Sequence, residues 1–176
     1  MMREYSEDAL VEQPAIALLQ TLGWEARNCY HETLGPDGTL GRETFAEVVL
    51  VRRLRAALHA LNPDVSGEAI ELAIEELTRD RSALSPAQAN REVYRLLKDG
   101  VKVRLRVGAG DADGAEGDAG DDGERIETVR VIDWRNPQNN DFFLASQFWV
   151  SGELYRRRAD LIGFDNGLPL VFVELK

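Results

Sequence analysis

The sequence is poor in the residues and segments that mark several protein classes. It has one cysteine, Cys29, and two histidines, so it offers neither an internal disulfide nor a Cys/His zinc cluster. It lacks an apolar run of roughly 18 residues, which a membrane-spanning helix needs. Its charged N-terminus lacks the apolar core of a secretory signal. These absences predict a cytoplasmic protein with no membrane partner.

One stretch accounts for most of the net charge. The chain has 176 residues and a formal net charge of −10. Residues 108–124 consist only of Gly, Ala, Asp and Glu and carry −7, which leaves −3 for the rest of the chain. Because this stretch has no apolar side chain larger than that of Ala, it cannot bury enough surface to offset its ordering entropy. We expect a disordered, solvated loop, so the net charge does not exclude a nucleic-acid partner.

The first half of the chain predicts helices and the second half predicts strands. Apolar residues recur at helical spacing over 8–22, 43–61, 67–79 and 85–98, the last opening with a capping-box pattern. Strand patterns cover 101–107, 126–134, 142–150, 159–164 and 168–175. This order predicts an α+β fold, with a mixed sheet of about five strands, in a single domain over 1–176. Because the final apolar strand has no following neighbour, we expect a fragment of a longer chain, truncated at the C-terminal end of its core.

Two carboxylates and a lysine carry the candidate chemistry. Asp160 lies on one predicted strand, and Glu174 and Lys176 lie on the next. Residues two apart on a strand share a face, so Glu174 and Lys176 point the same way. Ionised carboxylates among apolar strands are costly unless they hold a cation, and this pair suits Mg²⁺, with the lysine positioning or activating water. The alternative is an edge-strand ion pair of Glu174 and Lys176, with Asp160 as a turn-side cap.

The hairpin between these strands sets a constraint on the site. A plain two-residue loop at Asn166-Gly167 would pair Asp160 with Val173 and turn Glu174 to the other face. A three-residue loop or one β-bulge shifts the pairing by one residue and brings Asp160 opposite Glu174. The metal-site interpretation therefore predicts an odd loop or a bulge in this hairpin.

Three arginines precede the first carboxylate. Arg156, Arg157 and Arg158 are candidates for contacts with DNA phosphates near a cleavage site. A solvated run of charge is the alternative.

Several motifs in a fixed order point to one family. They occupy residues 10–12, 18–24, 90–94, 97–101, 132–140, 147–150, 157–162 and 166–176. Together they closely resemble the N-terminal region of restriction (R) subunits of type I restriction–modification enzymes. The resemblance covers nearly the whole chain apart from the acidic stretch. It is far more specific than a Glu-x-Lys pattern alone.

The resemblance implies a PD-(D/E)xK nuclease domain that cuts double-stranded DNA with Mg²⁺. Asp160 matches the motif Asp, although Ala159 stands where many members have Pro. Glu174 matches the second motif carboxylate and Lys176 the motif lysine. Glu12, on the first predicted helix, lies where such nucleases often place a further metal-site Glu; a solvated helix residue is the alternative.

The resemblance also implies cofactors and partners that bind outside this chain. The family's Gln-x-x-x-Tyr motif follows its lysine, beyond the end of this sequence. ATP binds the helicase-like motor domains that follow, and no Gly-x-x-x-x-Gly-Lys-[Ser/Thr] motif is present here. S-adenosylmethionine enters only through the modification and specificity subunits, which are the implied protein partners.

Two other functions stay open at this point. One is a non-catalytic docking module between the motor and the modification and specificity subunits, which has no need for converging carboxylates. The other is a solitary nuclease of repair or defence without a motor. In either nuclease case we expect the isolated 176-residue chain to cleave DNA weakly or not at all.

Overall fold

The computed structural model describes residues 8–106, 124–152 and 155–175. The chain divides into two compact units, unit 1 with Met1–Ala57 and Trp134–Lys176 and unit 2 with Leu58–Asp133. Lys176 and nearly all of the acidic stretch lie outside the described residues, so the disordered loop stays a prediction. The single endonuclease domain over 1–176 likewise stays a prediction.

The described residues form four α-helices and six strands, which confirms the α+β class. The helices are α1 (Gln13–Thr21), preceded by a π-helical turn (Asp8–Glu12), α2 (Val51–Leu61), α3 (Gly67–Thr78) and α4 (Pro86–Asp99). The strands are β1 (Glu25–Asn28), β2 (Val101–Arg106), β3 (Glu124–Val129), β4 (Phe142–Ser151), β5 (Arg156–Asp165) and β6 (Leu168–Val173). Within the described ranges, no helix is both long and apolar enough to cross a membrane.

Unit 1 is built on a mixed four-stranded sheet in the order β1-β4-β5-β6. The short strand β1 runs parallel to β4, and the other neighbours are antiparallel. The core cluster combines residues of the sheet with residues of the preceding loops: Cys29, Leu40, Leu50, Phe143, Ala145, Phe148, Ala159, Ile162 and Phe164. Full burial of each large side chain contributes about 1.5–3 kcal/mol, so this cluster holds β4 and β5 in place.

Contacts of the buried Arg42 side chain accompany an irregular backbone where the second predicted helix should begin. Helix α2 begins at residue 51, although apolar spacing predicts a helix from residue 43. The Arg42 side chain is buried, pairs with Glu32 and donates from Nη1 to the Glu47 carbonyl over 2.9 Å. The Leu50 backbone N–H donates to the Gly167 carbonyl over 2.9 Å. These tertiary bonds use backbone groups that a helix would need, so the prediction for 43–50 is wrong.

Unit 2 contains α3, α4 and a β2–β3 hairpin. The capping box predicted at the start of α4 is confirmed, with reciprocal bonds between Ser85 and Gln88. Strand β2 buries Val101, Val103 and Leu105 and exposes the residues between them. Among the described strands, β2 and β3 pair only with each other, so the strands form two sheets and not one sheet of about five.

Candidate active site

A β-bulge in the β5–β6 hairpin sets the register of the two candidate carboxylates. Asn166-Gly167 forms a two-residue turn, and Asp165 pairs with Leu168 across it. The register then shifts between Gly163 and Phe164, because Leu170 is an extra residue on β6. Beyond the bulge Leu161 pairs with Val173. The predicted bulge is therefore confirmed.

Extended by one pair beyond the end of β6, this register would set Asp160 opposite Glu174. Directly opposite residues on neighbouring strands point to the same face, with Cα atoms about 4.5–5.5 Å apart. Asp160 is half-buried and its Oδ2 accepts the backbone N–H of Leu175 over 2.9 Å. Glu174 is exposed. The predicted lysine, Lys176, lies outside the described residues, so its position stays a prediction.

A glutamine on β4 lies at the same level of the sheet. The β4–β5 pairs run from Ser146–Leu161 to Phe148–Ala159, which leaves Gln147 at the position facing Asp160. Gln147 has a φ of +56°, a left-handed conformation that is rare for a residue with a side chain. The sequence analysis included Gln147 only in the family motif over 147–150 and gave it no role. Its signal was the one long polar side chain of β4.

A hydrogen bond connects Gln147 to the residue that directly precedes α1. Its Nε2 donates to Oε2 of Glu12 over 2.6 Å, and Glu12 is 6% exposed. Glu12 is therefore not the solvated helix residue of the alternative interpretation. Among the described residues no group of three or more His, Cys, Asp or Glu side chains lies close enough together to hold a metal ion. Direct ligation by Glu12 stays a prediction.

Two of the three arginines at the start of β5 lie beside aromatic rings. The Arg156 guanidinium lies 4.4 Å from the ring centre of Trp149, and that of Arg158 lies 5.3 Å from Tyr30 and 5.5 Å from Trp149. All three arginines are exposed. A guanidinium stacked on a ring is held in orientation while its edge donors stay free to bind phosphate.

An open pocket of about 640 Å³ brings Arg157 and Arg158 together with Glu174. Its lining residues come from β4, β5, β6 and the β4–β5 connection: Val150, Gly152, Tyr155, Arg157, Arg158, Ala159, Phe172 and Glu174. Cationic and anionic groups thus share one opening, which is an arrangement suited to a phosphate diester beside a carboxylate-bound cation.

A separate acidic group lies at the other end of β5. Burial, with a smaller contribution from the nearby Asp141 charge, raises the pKa of Asp165 to about 6. Within the described part of the chain, Oδ1 of Asp165 is buried and accepts no hydrogen bond. Asp141 is paired with Arg53, its Oδ1 lying 2.7 Å from Nη1. This group lies beside the hairpin turn, five residues along β5 from Asp160, and belongs to the fold of unit 1.

The described residues define an α+β protein built from helices and two separate sheets. Comparison with known proteins then assigns the chain to a family. The family model described as type I restriction enzyme R protein N terminus matches residues 4–176, and the chain belongs to this family.

Two curated relatives carry consistent names. The type I restriction enzyme HindI endonuclease subunit of Haemophilus influenzae is 34% identical over 168 residues, which cover 94% of this chain and 14% of that protein. The protein named "Putative type I restriction enzyme MjaIXP endonuclease subunit" of Methanocaldococcus jannaschii is 28% identical over 177 residues, covering 97% of this chain and 15% of that protein. The chain therefore corresponds to the N-terminal region of type I restriction enzyme endonuclease subunits and spans about one seventh of their length.

Proposed function

We propose that this region carries the Mg²⁺-dependent nuclease centre of a type I restriction enzyme R subunit and cleaves double-stranded DNA. The observation that supports it best is the bulge in β6, beyond which Leu161 pairs with Val173, because extending this register by one pair would set Asp160 opposite Glu174. A regular two-residue hairpin would have turned these carboxylates to opposite faces.

The residues present fit a divalent cation. Carboxylate oxygens are the ligands that Mg²⁺ prefers, and Mg²⁺ commonly takes one or two carboxylates and fills its other positions with water and substrate phosphate. An exposed Glu174 beside a half-buried Asp160 leaves room for such water and phosphate. When bound, Mg²⁺ would supply Lewis-acid stabilisation of the charge that develops on the phosphate.

Each residue then has a defined task. The Leu175 N–H, next to Glu174 in the chain, holds Oδ2 of Asp160 in one orientation. Lys176, two residues beyond Glu174, would position or activate the attacking water. Arg156, Arg157 and Arg158 would bind the DNA backbone, because stacked or pocket-lining guanidinium groups recognise phosphate without reading bases.

The remaining activities would belong to the complete subunit. We propose that ATP-driven translocation resides in motor domains outside this chain, and that site recognition comes from modification and specificity subunits in the cytoplasm. S-adenosylmethionine would act only through those partner subunits.

A docking module is the second candidate, and the exposed apolar residues of β6 favour it. Leu170, Val171 and Phe172 are 43%, 45% and 64% exposed on a strand that has one described neighbour in the sheet. Exposed apolar side chains on such a strand are suited to contact with a partner subunit.

Single substitutions in the complete subunit, assembled with its partners, distinguish the nuclease from the docking module. Asp160→Asn and Glu174→Gln should each lower DNA cleavage at least about 100-fold while ATP hydrolysis and assembly persist, because only the catalytic charge is removed. Asp165→Asn is the matched control on the same strand. Unchanged cleavage by Asp160→Asn, together with loss of assembly in Phe172→Asp, would reject the nuclease proposal in favour of docking.

A further inference from the structure

The hydrogen bond between Gln147 and Glu12 joins the N-terminal helical segment to strand β4, and Gln147 has an unusual backbone conformation. Gln147 adopts a left-handed conformation in the interior of β4, where neighbouring residues are extended. Left-handed residues other than glycine are held only where surrounding contacts demand it, and they cluster at functional sites. The pairs on either side of Gln147 put it across from Asp160 in the β4–β5 register.

The hydrogen bond of Gln147 fixes the orientation of its amide. A carboxylate accepts but does not donate, so the amide atom that meets Oε2 of Glu12 over 2.6 Å must be Nε2. The rotation of the Gln147 amide is thereby determined by a residue that is 6% exposed and itself held in place. A buried carboxylate thus holds the residue next to Asp160.

The other end of this link also has irregular geometry. Glu12 is the last residue of a π-helical turn, directly before α1 begins. Single π-helical turns within or beside α-helices are infrequent and often occur at functional sites. Both residues of this hydrogen bond, Glu12 and Gln147, therefore lie in irregular backbone. Gln147 is also the residue that lies across from Asp160 in the register.

We propose that Gln147 is a positioning residue, which couples Glu12 to the Asp160–Glu174 pair and so sets the geometry and metal affinity of that pair. This inference rests on the proposed function. It also gives Glu12 a task that does not require its direct membership of a three-carboxylate group. Residues that orient metal ligands from behind typically change metal affinity 10- to 100-fold when removed.

Glycine is the informative substitution at residue 147. It adopts the left-handed conformation without steric cost, so Gln147→Gly removes the amide and keeps the backbone. Gln147→Ala removes the amide and also disfavours that backbone, so it serves as the second variant. Gln138→Gly, in an exposed turn of unit 1, is the matched control.

The experiment measures Mn²⁺ binding to the complete subunit without nucleotide, by electron paramagnetic resonance. Asp160→Asn identifies the binding that belongs to this site. We expect Gln147→Gly and Glu12→Ala each to weaken that binding about 10-fold, and the double variant to weaken it no further, because both act through one hydrogen bond.

The outcomes separate the two proposals. Wild-type affinity in Gln147→Gly, or losses that multiply in the double variant, would overturn the coupling while the metal site stands. A thermal shift without a change in Mn²⁺ affinity would assign Gln147 a purely structural role and would also overturn it. Binding unchanged in Asp160→Asn would refute the proposed metal site itself.

Discussion

Removal of the buried Arg42 side chain should destabilise unit 1 severely. Arg42 is 1% exposed and its guanidinium pairs with a Glu32 side chain that is fully buried. It also donates to the backbone carbonyls of Glu47 and Trp149, each over 2.9 Å, and lies 3.9 Å from the ring centre of Phe148. Arg42→Ala therefore leaves a buried carboxylate unpaired and two carbonyls without their donor.

The expected cost follows from these contacts. Breaking a buried ion pair by removing one partner costs about 3–5 kcal/mol, because the remaining charge stays desolvated. That is a large part of the roughly 5–15 kcal/mol by which a domain is stable. With an m-value of about 2 kcal/mol per molar urea, a loss of about 4 kcal/mol lowers the unfolding midpoint by about 2 M.

Tryptophan fluorescence during urea unfolding reports the loss of stability of unit 1, the unit that contains Arg42. All three tryptophans, Trp24, Trp134 and Trp149, lie in unit 1. Arg52→Ala, at an exposed arginine nearby, is the control and should move the midpoint little. A shift below about 0.5 M in Arg42→Ala would show that Glu32 finds another partner or water, and would refute the reasoning.

Three further predictions concern single residues of unit 1. The raised Asp165 pKa of about 6 means that the folded state holds this proton more tightly than the unfolded state. The contribution of Asp165 to the free energy of unfolding is therefore largest below about pH 4 and is lost as pH rises through 6. Allowing for solvent screening of a half-buried group, the loss is about 1–2 kcal/mol, which Asp165→Asn should abolish in urea titrations at pH 4.5 and 7.5; an unchanged pH dependence would contradict this. Gly167→Ala should cost at least about 2 kcal/mol, because φ is +80° and the added Cβ would lie 2.6 Å from the Leu50 carbonyl; an unshifted thermal midpoint would refute it. Burial, followed by the Glu32 charge, raises the pKa of Cys29 to about 12, so a thiol reagent at pH 8 should label it only after unfolding, and labelling of the native chain would count against its burial.

Local signals in the sequence determined the elements whose causes lie within a few residues. Ser85 and Gln88 cap α4 through bonds to each other, so their spacing suffices to predict the helix start. The Asn166-Gly167 turn likewise depends on residues that accept positive φ. The bulge was predictable as a requirement of the carboxylate pair, and the family was evident from the order of its motifs.

Features that depend on distant partners were decided by the tertiary structure. β1 consists of mostly polar residues and is a strand because it runs parallel to β4, which no local pattern records. Residues 43–50 have helical spacing, but their backbone groups bond to Arg42 and Gly167. The left-handed backbone of Gln147 and its bond to Glu12 join residues 135 positions apart. Sequence determined which carboxylates were available, and only the fold decided that Gln147 bonds to Glu12, because a hydrogen bond depends on distance in space and not on separation along the chain.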